Sequence, residues 1–148
     1  MKKFLLIFIF LLSQCGYQPI FLNKNLNNME FYKITHEGDL EINRKILGSL
    51  SFNENKSKNT LNSLLINSSF EIIETSKNSK GQVESYKSKI TLTLIISDKK
   101  EIITNKSFIK EFSYNVKENK FELVRYQNEI KDNLINKIIE DIILYMSI

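Results

Sequence analysis

The sequence predicts an α+β fold: a two-layer sandwich with two helices packed on a four-stranded, mixed but mostly antiparallel sheet. Three observations predict it. Tyr86 to Ser97 alternates, with Ile90, Leu92, Leu94 and Ile96 on one face and Lys87, Lys89, Thr91 and Thr93 on the other. That period of two describes a strand with one buried and one wet face. Phe121 to Tyr145 carries Leu123, Tyr126, Ile130, Leu134, Ile138, Ile142 and Tyr145 at a helical period, widened by Ile135 and Ile139. Ile42, Ile46 and Leu50, with Leu47 beside them, form a second and shorter helical stripe. One apolar sheet face and two apolar helix stripes cover each other in two layers.

The first 14 residues do not belong to that sandwich. Lys2 and Lys3 precede nine uninterrupted apolar residues, Phe4 to Leu12, and the segment closes at Leu12-Ser13-Gln14-Cys15. This is the layout of a bacterial secretory signal. Nine apolar residues are too few to span a bilayer as a helix, which needs roughly 20. Cys15 is the only cysteine of the 148 residues. At the cleavage point it implies a lipoprotein: the thiol receives a lipid, becomes the new N-terminus, and holds the chain on a membrane through acyl chains, palmitate among them. Gln14 departs from the small residue usual before such a cysteine. An ordinary signal peptide followed by an incidental cysteine is the alternative.

Residues 15–28 are expected to form an extended, lipidated tether, because Pro19 and the asparagine-rich run Asn23 to Asn28 resist regular structure. Residues 29–148 are expected to form one domain, a length that supports a core without disulfides. A first strand is expected at Glu30 to Thr35. Gly38 turns the chain, and the Asp39 carboxylate caps the helix of Ile42, Ile46 and Leu50. Asn53 to Asn59 is polar and reads as a loop. Leu61 to Ile66 fits either a helical turn or the start of a strand; a strand running on through Phe70, Ile72 and Ile73 to Thr75 is favoured. Ser76 to Gln82 connects a hairpin. Asp98-Lys99-Lys100 makes a second tight turn. Glu101 to Val116 is then a strand with Phe108, Phe112 and Tyr114 on one face. Arg125, Glu129, Lys131, Asp132, Lys137, Glu140 and Asp141 exclude a membrane span for the terminal helix, so its stripe is assigned to the core.

The whole chain carries a formal net charge of +4, and loss of the leader's two lysines leaves +2. With no nucleic-acid motif, that charge gives no reason to expect a nucleic-acid partner. The absence of alanine and tryptophan, beside abundant Ile, Lys, Asn and Leu, is a composition bias and carries no functional information. Catalytic chemistry is sparse. His36 is the only histidine and reads as a solvated surface residue. No nucleophile elbow, Gly-rich phosphate loop, metal-ligand set or cofactor motif is present. No cofactor and no enzymatic activity are expected.

The opening run Cys15-Gly16-Tyr17-Gln18-Pro19-Ile20-Phe21 resembles the mature start of the lipopolysaccharide-assembly lipoprotein family, LptE. The closing section is similar too: the alternating strand Lys89 to Ile96, a strand ending Phe112-Ser113-Tyr114-Asn115, a polar link, and a long amphipathic helix. The family's terminal helix is usually alanine-rich, and this one has no alanine. The resemblance implies a non-catalytic protein of the outer membrane, anchored on the periplasmic side. It would plug and help assemble the large β-barrel that inserts lipopolysaccharide, and contact lipopolysaccharide in passage. An auxiliary lipoprotein of a lipid-transport ABC system and, from another class, a periplasmic hydrolase are the alternatives. A phosphorylated lipid needs positive charge, so the lysines around the first hairpin, Lys77, Lys80, Lys87 and Lys89, form the candidate lipopolysaccharide site. Lys99 and Lys100 are a weaker candidate, and a merely solubilising lysine surface is the alternative to both.

Overall fold

The computed structural model describes residues 29–57, 61–98 and 101–147. The leader, Cys15 and the tether of residues 15–28 therefore lie outside the described residues, as do Lys99 and Lys100. The elements run β1 (Glu30–Phe31), β2 (Lys33–Gly38), α1 (Leu40–Leu50), β3 (Asn53–Glu54), β4 (Ser63–Lys77), β5 (Val83–Asp98), β6 (Glu101–Asn115) and α2 (Lys120–Met146). The main sheet has the order β2-β4-β5-β6. β2 pairs with β4 in parallel, and the two long hairpins are antiparallel. The sandwich is the one expected from the sequence.

Three local expectations need refinement. The first strand is interrupted at Tyr32, dividing it into β1 and β2. The segment read as a loop contains β3, whose two residues pair in parallel with β1. That pairing is made by backbone, and polar side chains such as those of Asn53 and Glu54 give no sign of it. Glu54 adds a side-chain clasp, its Oε1 accepting from the Ile34 amide at 3.0 Å. The ambiguous stretch from Leu61 enters β4 at Ser63.

Each helix starts where its capping residue places it. The Asp39 carboxylate accepts from the amides of Glu41 and Ile42 at 3.0 and 3.1 Å. Asn119 does the same for α2, through Phe121 at 2.8 Å and Glu122 at 3.4 Å. These bonds satisfy amides that the helix itself leaves free. Glu41 and Glu122 add negative charge to the first turns, which the helix dipole favours.

The core lies between the helices and one sheet face. Ile42, Ile46 and Leu50 from α1 meet Leu64 and Ile66 from β4 and Ile90, Leu92 and Leu94 from β5. Ile130, Leu134, Ile135, Ile138, Ile139 and Ile142 complete it from α2. The centres of the expected stripes are thus buried, whereas Leu47, Ile96, Leu123 and Tyr126 are only partly buried and Tyr145, at the end of the long stripe, is exposed. Phe108 and Tyr114 of β6 are buried, whereas Phe112, on the same face between them, is partly exposed.

The corner between β2 and α1 is built from polar groups. Gly38 adopts φ +81, and a Cβ there would lie 1.8 Å from the Ser68 carbonyl oxygen. That carbonyl accepts from the Asp39 amide at 2.9 Å. The Ser68 hydroxyl donates to Asn43 Oδ1 at 2.8 Å, and Asn43 Nδ2 donates to the Glu37 carbonyl at 2.7 Å. Asn43 and Ser68 are buried without leaving a side-chain polar atom unpaired. This is how buried polar groups avoid a desolvation penalty.

Candidate functional surfaces

The first hairpin positions the candidate lysines. Its turn is organised by Asn78, whose Oδ1 accepts from the amides of Lys80 and Gln82, both at 3.0 Å. Gly81 completes the turn at φ +78, a backbone state that favours glycine. Lys77 ends β4 and Lys80 lies in the turn. Lys87 and Lys89 alternate with buried Ser88 and Ile90, so both face away from the helices.

These lysines share one end of the sheet but are interleaved with acids. Lys77 Nζ stands 2.8 Å from Glu74, and Lys87 Nζ stands 3.1 Å from Glu111. Lys89 lies between Glu71 on β4 and Glu111 on β6 in the strand register. Among the described residues Lys80 and Lys89 form no ion pair. The arrangement is a mixed-charge strip with two uncommitted ammonium groups, rather than a wholly positive patch. Sequence reading identified the lysines and missed their acidic neighbours. The signal was available: Glu71 and Lys89 are equidistant from Lys80, and Lys89 and Glu111 are equidistant from Lys100. Folding each hairpin at those residues puts the three side by side.

The most deeply placed ammonium group lies on the opposite layer. Lys131 of α2 is only 12% exposed in its side chain and meets Asp39 Oδ2 at 3.1 Å and Glu41 Oε2 at 2.8 Å. Its Nζ also stands 5.2 Å from the centre of the Phe70 ring. Lys45 extends the network, reaching Glu41 at 3.0 Å and Asp132 at 2.6 Å. Hydrogen bonds from Lys131 and then Lys45 hold the Glu41 carboxyl down at about 2. Burial alone would raise the Asp39 pKa, but the Ile42 amide and Lys131 outweigh it, and the net shift is downward. Burial likewise opposes the charge on Lys131, but its bonds to Glu41 and Asp39 raise its pKa overall. The network clamps α1 to α2 and leaves its charges mutually satisfied. It is therefore assigned to the architecture and not to a ligand site.

A groove runs along the open side of α2, between that helix and β6. Phe112, Tyr126, Ile130 and Leu134 supply apolar lining, and Glu129, Asn133, Lys137 and Glu140 form polar lining. Tyr126 also packs edge-on against Tyr114, with ring centres 5.7 Å apart. Phe112 owes its partial exposure to this groove. His36 is exposed and lines a separate shallow depression with Leu40, Arg44 and Leu47. Among the described residues no three His, Cys, Asp or Glu side chains gather as a metal site would require. No helix among the described residues is long and apolar enough to cross a membrane.

The sandwich is shared with solved proteins. Rare lipoprotein B from Shewanella oneidensis superposes with a TM-score of 0.60 at 14% sequence identity, over 78% of this chain and 93% of that one. An uncharacterised lipoprotein B from Nitrosomonas europaea superposes with a TM-score of 0.57 at 11% identity, over 84% of this chain and 88% of that one. At such identities the likeness is one of fold. No protein-family profile matches the chain, and no curated protein is similar to it in sequence.

Proposed function

We propose that this chain is a non-catalytic outer-membrane lipoprotein of the LptE type. It is acylated on Cys15, held on the periplasmic side, and plugs and helps assemble the β-barrel that inserts lipopolysaccharide. The observation that carries this reading is a coincidence of two independent features. A secretory leader ends at the chain's only cysteine, and the domain behind it has the sandwich fold of two proteins described as lipoprotein B. The family-like run Cys15 to Phe21 adds the finer assignment.

The physics of the role is simple. A compact domain with wet outer faces fits inside a wide, water-filled barrel lumen. An acyl anchor keeps it near that barrel at high effective concentration. Lipopolysaccharide contact is assigned to Lys77, Lys80, Lys87 and Lys89, with Lys80 and Lys89 as the cations already free. An anionic headgroup has to compete with Glu74 and Glu111 for the other two.

Affinity purification from solubilised outer membrane tests the barrel. Co-purification of a large β-barrel is expected, and its absence under conditions that retain other lipoprotein complexes counts against the role. The lysines are tested by changing all four to glutamate. Loss of lipopolysaccharide binding with the barrel complex intact is expected. Unchanged binding at low salt, where exposed charges are least screened, excludes this strip.

A further inference from the structure

We propose that two copies of this chain pair edge to edge, β6 antiparallel to β6, about a two-fold axis through Ile109. The two four-stranded sheets then join into one, with the two α2 helices side by side above it. The inference concerns the domain alone and does not rest on the reading above.

The backbone of β6 identifies the kind of occupant. β6 is 15 residues long and ends the sheet order β2-β4-β5-β6. One side of it pairs with β5, and among the described residues no backbone partner meets the other side. Such a row of free amides and carbonyls is a template for another strand. The opposite edge of the sheet is short and guarded. β2 has six residues; its Ile34 amide donates to Glu54, and its Glu37 carbonyl accepts from Asn43. Lysines often protect an edge strand, but those of β6 are drawn onto α2. Lys110 Nζ stands 2.7 Å from Asp141, and Lys106 Nζ stands 5.5 Å from the Tyr145 ring centre.

The helix layer has room for a copy of itself. α2 packs on both β5 and β6, so it lies about one strand spacing, roughly 5 Å, from the two-fold axis. The second α2 lies as far beyond, which puts the helices roughly 10 Å apart, at the upper end of ordinary helix packing. The groove along the open side of α2 becomes the seam between them. It closes over Phe112, Tyr126 and Ile130. It also covers Leu144, which is 67% exposed and lies about two turns beyond Lys137 on that side.

Self-complementarity selects a second copy over an arbitrary strand. Directly opposite residues of an antiparallel pair share a face, so the two-fold axis falls on a residue. An axis at Lys106, Lys110 or Glu111 sets that charge against itself, and an axis at Phe108 sets Lys106 against Lys110. Like charges directly opposite are destabilising. Axes at Ser107 and Ile109 avoid them. Ile109 is the centre of the regular stretch Thr104 to Tyr114, clear of the register shift at the start of β6. It sets two half-exposed isoleucines together, and lays Lys106 against Phe112, and Lys110 against Phe108, of the second copy.

Cysteine scanning in the full-length chain tests the pairing. Cys15→Ser removes the only native thiol, and Ser107→Cys, Ile109→Cys, Glu111→Cys and, on β4, Ile73→Cys are added singly. Ile73 is also exposed and shares the open sheet face with its neighbour Lys87, so it reports random collision. Circular dichroism confirms the native fold of each variant. Light scattering of the Cys15→Ser parent is expected to give the mass of two chains. Mild oxidation is expected to link Ile109→Cys severalfold more than Ile73→Cys, because thiols opposite each other on the axis are within disulfide reach. Ser107→Cys and Glu111→Cys lie opposite each other, so they are expected to link poorly alone and readily when mixed. Ile109→Lys sets two lysines together and is expected to give a folded monomer. A monomeric parent, equal linkage at Ile109 and Ile73, or strongest self-linkage elsewhere on β6 overturns the proposal. A folded Ile109→Lys protein that stays dimeric overturns it too.

Discussion

Gly38 and Gly48 show how differently two residues of one type can matter. Gly38 combines a left-handed φ with a carbonyl oxygen where its Cβ would be. Gly38→Ala must break the β2–α1 corner, and a loss of about 3 kcal/mol or more is expected. Gly48 sits on the exposed side of α1, with open space around its missing Cβ. Gly48→Ala should stabilise the protein by roughly 0.5–1 kcal/mol, because alanine loses less backbone entropy in a helix. Denaturant midpoints of the two variants check this, and equal shifts would refute the corner's special geometry. Sequence reading marked Gly38 as a turn residue. The close approach of Ser68 is a contact between distant parts of the chain and could not be read from it.

Between elements, the ion network and the isoleucine stripe hold α2 in place by different means. Lys131→Ala removes charged hydrogen bonds to Asp39 and Glu41 from a half-buried site, and should cost about 1.5–3 kcal/mol. The linked pH dependence has a definite sign. The Glu41 carboxyl titrates at about 2 in the folded protein, below its ordinary 4.5. Its contribution is complete above about 4.5 and is lost as pH falls from there through about 2. Lys131 is shifted the other way, so its contribution is present below its ordinary 10.5 and is lost as pH rises beyond the elevated folded value. Stability measured from about pH 5 down to about pH 2 should therefore fall less steeply in Lys131→Ala than in the unmodified protein. Leu134→Ala and Ile138→Ala, both buried, should each cost roughly 2–5 kcal/mol. Asp132 lies on the polar side, yet it meets Lys45, so Asp132→Ala should cost no more than about 1 kcal/mol. Calorimetric or denaturant series that rank Asp132→Ala beside the two core variants would overturn the assigned core face.

For the whole molecule, the anchor and the sandwich are expected to be separable. Among the described residues the buried core runs from Phe31 to Ile142. Cys15→Ser should leave thermal unfolding of the domain within about 0.5 kcal/mol of the unmodified protein while shifting it out of the membrane fraction. Mass spectrometry of the unmodified protein should show an N-terminal lipid-bearing peptide beginning at Cys15. An intact Met1 end or a free thiol would exclude lipidation.

The sequence by itself determined the long elements and most of their buried faces. Period and capping act over neighbouring residues: Ile90, Leu92 and Leu94 had to share a strand face, Leu134 and Ile138 a helix face, and Asp39 had to open α1. It also located the lysines around the first hairpin. Only the tertiary structure decided what stands next to what. It set Glu71 and Glu111 on either side of Lys89, bent Lys131 over Phe70 into two carboxylates, joined β3 to β1, and brought Met29, Ile96 and Met146 together at one end. Those are pairings between residues far apart in the chain, fixed by strand register and by the packing of two layers. A local pattern shows that a face must be covered; the rest of the fold determines which residues cover it.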